Sequence, residues 1–118
     1  MMRTTKADFA LFQKECQRWI DAFELNNLKF YYTHSELDDA FAEFYYAEWM
    51  QKITIVFSNE FAEPMDDIKQ QIKDTAFHEI TEILIQPLRI IAEKRNFDRE
   101  EMEKETHRII HKLQKVLT

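Results

Sequence analysis

Between Ala7 and Phe23 the apolar residues fall at Phe9, Phe12, Cys16, Trp19, Ile20 and Phe23. Steps of three and four place them on one stripe of a helix. Asn26-Asn27 breaks the pattern. Leu28 to Thr33 is aromatic and predicts a strand, and Ser35 to Asp39 a turn. Ala40 to Trp49 fits either period. It is read as a strand because the β-branched run Ile53-Thr54-Ile55-Val56-Phe57 follows after the short break Met50-Gln51-Lys52. Two strands that close in sequence usually pair as a hairpin, and the polar stretch Ser58 to Pro64 ends them.

A long helix is expected from Pro64 or Met65, with proline in its first turn and Asp66-Asp67 beside the positive end of its dipole. Its apolar positions are Ile68, Ile72, Ala76, Ile80, Ile83 and Leu84. Pro87 removes one hydrogen bond to the preceding turn, so the helix is expected to kink or restart there and to run on to Lys94. The last helix has the clearest start. Asp98 is a natural N-cap, Glu101 completes a capping box, and Phe97 and Met102 form a hydrophobic staple. Its core stripe reads Met102, Thr106, Ile109, Ile110, Leu113 and Leu117. The predicted fold is α+β in the order αβββαα. It comprises an N-terminal helix, a small antiparallel three-stranded sheet, a long helix and a C-terminal helix.

Composition narrows the function. The 118 residues suit one domain, 1–118, without repeats or linkers, and 45% of them are apolar, enough for a packed core. The net charge of -6 argues against nucleic acid, whose phosphates call for a basic surplus. No apolar run approaches the ~20 residues of a membrane span, and the start does not read as a secretory leader. There is no glycine, which excludes phosphate-cradling loops, dinucleotide fingerprints, EF-hand loops and GxSxG elbows. One cysteine excludes a disulfide framework and Cys-rich zinc modules; Cys16 lies in the first helical stripe and reads as core.

The candidate chemistry lies in Ala76-Phe77-His78-Glu79-Ile80-Thr81-Glu82. His78 and Glu82 are four apart, on one helical face, a spacing that lets one metal ion reach both. Glu79 stands where an HExxH helix carries its general base. The same pair also fits a solvated face, where it is a minor ion pair. Against that, Ile80, Ile83, Leu84, Ile85 and Leu88 spread over most of the circumference and predict a covered helix. Buried charges need partners, and a cation is one.

With its HExx pattern followed by Ile-Leu-Ile and its closing capped helix with Ile-Ile-His-Lys-Leu, the chain resembles small zincin-like metallopeptidase proteins of phages and prophages. The resemblance implies a zincin-like domain in the cytoplasm of a bacterium or phage-infected host. It implies zinc-dependent hydrolysis of a peptide or protein substrate, with His78 and Glu82 as metal ligands and Glu79 as base. It also implies a further ligand from the last helix. His107 is taken for that role, with Glu103, Thr106 and His111 as alternatives. The two long helices would then pack as neighbours and bring residues 103–107 to the His78/Glu82 face. In zincins an edge strand above the motif helix aligns the substrate, and Ile53, Ile55 and Phe57 are expected to form it. The chain departs from the family at Glu82, where zincins carry histidine.

The competing class is a non-catalytic protein-binding or regulatory module on the same scaffold. Residues 1–88 carry 8 basic and 16 acidic side chains, while 89–118 carry 8 and 6, a split that would favour self-association. Tyr31, Tyr32, Tyr45, Tyr46 and Trp49 would line a groove or pack on the sheet. A di-iron bundle is excluded, since no Glu-x-x-His pair occurs.

Overall fold

The computed structural model describes residues 2–47, 51–61, 64–94 and 98–117. Phe97, Trp49 and Met50 fall outside them, and with these the staple and part of the expected aromatic groove. A short strand β1 (Met2–Arg3) leads into helix α1 (Lys6–Ala22), followed by strands β2 (Lys29–Ser35), β3 (Ala42–Ala47), β4 (Lys52–Ser58) and β5 (Glu60–Phe61). Helices α2 (Ile68–Glu93) and α3 (Arg99–Leu117) complete the chain. The α+β class and the order of the main elements are as expected. No helix among the described residues is long and apolar enough to cross a membrane.

The sheet differs from expectation. Its order is β2-β4-β3. The β3–β4 hairpin is antiparallel, as predicted, but β2 pairs with β4 in parallel, Phe30 opposite Ile53 and His34 opposite Phe57. The sheet is therefore mixed, and β4 is its central strand. Ile53, Ile55 and Phe57 are fully buried. They are core residues and cannot be the edge that aligns a substrate; β2 and β3 hold the edges. The β-branched run that marked β4 is the mark of a strand covered on both flanks. A second, two-stranded ribbon pairs β1 with β5, and β5 lies inside the stretch Ser58 to Pro64 expected to end the strands. Thr4 secures it. Its hydroxyl donates to the Ser58 carbonyl and accepts from His34 Nε2, both at 2.7 Å.

The helices cover one face of the sheet. Alternation along β2 turns Phe30, Tyr32 and His34 inward and leaves Lys29, Tyr31 and Thr33 exposed. Phe12 of α1 stacks on Phe57 at 4.5 Å between ring centres, and Trp19 meets Phe77 of α2 edge-on at 4.8 Å. Truncating Phe12 to Ala would cost about 3–5 kcal/mol, the usual range for a fully buried aromatic.

Helix ends follow from local chemistry. Thr5 and Asp8 form a reciprocal capping box at the start of α1. The helix ends in a Schellman pair: Glu24 N–H donates to Asp21 C=O and Leu25 N–H to Ile20 C=O. Glu24 sits there at φ 55°, a place glycine normally fills. Asp39 and Gln51 are also left-handed, at φ 52° and 50°, because the chain has no glycine to offer. Helix α2 starts at Ile68, later than expected. Asp67 caps it, accepting from Gln70 N–H at 3.1 Å.

The helix then runs unbroken through Pro87. Arg108 of α3 steadies that stretch by donating to the Leu84 carbonyl at 2.9 Å, its guanidinium held by Glu105 at 2.7 Å. Asp98 caps α3 through Glu100 N–H, while the Glu101 carboxylate accepts from Lys94.

The inward face of α3 is rotated from the predicted stripe. Met102, Glu105, Ile109, Leu113 and Val116 are covered, whereas Thr106, Ile110 and Leu117 are exposed.

Candidate metal centre

Helix α2 presents two polar rows toward β3. Four-residue steps align Asp74, His78 and Glu82 in one row and Gln71, Thr75 and Glu79 in the next. The first row is the more open: the His78 side chain is 69% exposed and that of Glu82 29%. The second turns inward, so Thr75 and Glu79 are buried. Donor atoms of His78, Glu79 and Glu82 lie within 4.8 Å of one another. Among the described residues this is the one group of three or more His, Cys, Asp or Glu side chains drawn together in this way.

Glu79 is the unusual member. It is 6% exposed, yet it lines the groove between α2 and β3. Burial, then Glu82, then Glu43 push its carboxyl up to about 7. Glu82 Oε1 lies 3.6 Å from His78 Nε2 and 3.5 Å from Arg89 Nη2.

Beneath Glu79 the polar surroundings continue into the core. Burial raises the Cys16 thiol far above its ordinary range, and Glu79 and Glu15 push it the same way. Cys16 is thus a protonated core residue and not a nucleophile, as its place in the helical stripe implied. The Tyr32 hydroxyl is buried without a partner among the described residues, and burial likewise raises it.

A groove of about 370 Å³ opens over the pair His78 and Glu79. One wall is α2, with Gln71, Asp74 and Thr75; the other is the start of β3, with Phe41 and Ala42. The strand beside the motif helix is therefore β3, an edge strand, in the position assigned to β4 from the sequence.

His78, Glu79 and Glu82 come together. Residues of α3 do not join them. Glu103, Thr106, His107 and His111 are all exposed. Thr106 donates to the Met102 carbonyl of its own helix. Glu103, His107 and His111 border a separate depression whose lining residues all come from Asp98 and α3. The packing of α3 on α2 was anticipated. The rotation of α3, with Glu105 and Arg108 turned inward, is what carries these candidates away.

Sequence reasoning missed Asp74 and Glu43. Asp74 stands four residues before His78, so the spacing that singled out Glu82 also reaches it. Glu43 is on β3 and acts across space on Glu79, which only the strand's placement could show. A scan of family models, a search of curated proteins and a search of solved structures each found nothing that matches this chain.

Proposed function

We propose that this protein is a metal-assisted hydrolase of peptide bonds, with His78 and Glu82 holding a divalent cation such as zinc and Glu79 acting on the attacking water. The observation that carries the reading is the grouping of His78, Glu79 and Glu82 on α2, with donor atoms within 4.8 Å of one another. His78 and Glu82 supply two of the three protein ligands that a catalytic zinc ion usually takes, and no described residue of α3 supplies the third. Imidazole and carboxylate both bind zinc with bonds of about 2.0–2.2 Å, which puts two donors roughly 3.5 Å apart on a tetrahedral ion. His78 Nε2 and Glu82 Oε1 lie 3.6 Å apart, close to that separation. A bound zinc ion supplies Lewis-acid polarisation of the scissile carbonyl and makes the attacking water more acidic. The chain's own residues do the rest. Glu79, set low in the groove, takes the proton from water through its carboxylate and returns it to the leaving amine. Phe41 and Ala42 on the opposite wall leave room for an extended backbone.

The test is the shift in melting temperature with added zinc. Wild type should rise and Glu82→Ala should not, because a ligand stabilises only through an intact site. Glu82→His should rise further, since imidazole is a strong zinc ligand. Hydrolysis of a peptide library should be lost in Glu79→Gln and under chelation. A second reading, a non-catalytic binding module, draws on Glu82 having two partners of its own, His78 and Arg89. On that reading the three melting curves coincide with and without zinc.

A further inference from the structure

Three cavities are linked in a row by shared lining residues, with Glu79 at one end. The first is the groove between α2 and β3. The second, about 550 Å³, shares Phe41 with it and is lined by Glu36, Asp38, Asp39, Glu60 and Phe61 among others. The third, about 430 Å³, shares Glu36, Leu37 and Asp38 with the second and adds Glu43. Apart from His78, every ionisable side chain lining the three is a carboxylate. The cations lie elsewhere: Lys104, Arg108 and Lys112 line the two cavities beside α3.

The trough is amphipathic by construction. Its acidic rim is the connection between β2 and β3, which turns at Asp39 in the left-handed conformation. Its floor is apolar. Phe41 is 36% exposed and meets Phe61 edge-on at 4.9 Å, with half-buried Leu37 beside them. An apolar floor beneath carboxylates fits a lysine or arginine side chain, whose stem covers apolar surface while its head pairs with an acid. Glu79 gives an independent pointer. It is 6% exposed and lines the inner end of the groove. A largely covered carboxylate that lines a groove adds to its negative lining and can accept from a ligand's N–H groups.

We propose that this trough receives an extended basic peptide, its Lys or Arg heads paired with Glu36, Asp38 and Glu43 and its chain continuing into the groove above Glu79. The proposal deepens the hydrolytic reading by naming the substrate class, and rests on that reading only in making the peptide a substrate as well as a ligand.

The experiment uses two fluorescein-labelled nonapeptides, one alternating Lys and Ala and the other Glu and Ala, titrated by anisotropy in chelator and again with zinc. The Lys peptide should bind at least about tenfold more tightly than the Glu peptide at low salt and weaken as salt screens the rim. The double variant Glu36→Lys/Asp38→Lys, with both sites on the surface, should weaken it by about tenfold, two exposed pairs being reversed. Glu43→Lys provides the same reading if the double variant melts early. Equal binding of the two peptides, or binding unmoved in variants that melt like wild type, overturns the proposal. Lys-peptide binding in chelator without cleavage in zinc upholds the docking surface and removes the hydrolytic reading. Cleavage of both peptides at equal kcat/KM does the reverse.

Discussion

Replacing Glu79 with Gln removes a carboxyl that the folded state holds protonated up to about pH 7, against an ordinary value of 4.5. Burial is the main cause, and Glu82 and Glu43 add to it. A folded-state value above the unfolded one means that the native protein binds the proton more tightly. The contribution of this group to stability is therefore full below about pH 4.5 and is lost as pH rises through about 7. At 1.36 kcal/mol per pH unit, the loss between pH 5 and pH 8 is about 2.5 kcal/mol. The glutamine side chain has the same shape and no proton to lose. Its amide does not titrate, so its contribution is the same at every pH and cancels in the difference. Urea unfolding in chelator at pH 5, 6, 7 and 8 should show wild type falling relative to Glu79→Gln, by about 2–3 kcal/mol in all. Parallel stability curves for the two proteins would show that Glu79 is solvated and ionised in the folded state. The case for a covered base would then be gone.

Other changes read separate parts of the structure. Gln51→Gly should raise stability by about 0.5 kcal/mol, since glycine removes a left-handed strain of about 1 kcal/mol and returns part of it as unfolded-chain entropy. A lower urea midpoint would contradict this. Arg108→Met frees the Leu84 carbonyl and should cost about 1–2 kcal/mol, whereas Arg89→Met, at a more exposed pair, should stay within about 0.5. Thr4→Val removes two hydrogen bonds between the β1–β5 ribbon and the sheet and should cost about 1–3 kcal/mol in the same assay.

What could be read from the sequence was what local spacing controls. Phe12, Cys16, Ile20 and Phe23 form one stripe of α1 and are buried together, because a period of 3.6 leaves them a single common face. The β3–β4 hairpin followed from two strand-like runs separated by a short break. The site's core, His78 with Glu79 and Glu82, came from a spacing of four on one helix. What failed depended on distant parts of the chain. The partner of β2 is chosen by tertiary packing, and nothing between Leu28 and Thr33 distinguishes a parallel neighbour from an antiparallel one. On α3 the apolar residues allowed two adjacent stripes. The stripe chosen by the fold buries the stems of Arg108 and Lys112, long side chains that can cover apolar surface while their heads find partners. That choice turns His107 outward, and the expected third ligand goes with it.

The place of β4 between β2 and β3 gives the acidic connection a mechanical task. Residues 36–41 leave one edge strand and must reach the opposite edge, crossing the end of the central strand on the way. Two inter-strand spacings amount to about 9.6 Å. Both feet of this arch are tied to the strand it crosses: Asn59 N–H donates to the Ser35 carbonyl and Ser58 N–H to the Phe41 carbonyl, each at 2.9 Å. The segment is thus a strap of fixed span, and its carboxylates are carried on a part of the backbone held at both ends. A deletion there would pull on the register of all three strands at once, whereas the same deletion in a free surface turn would be absorbed locally.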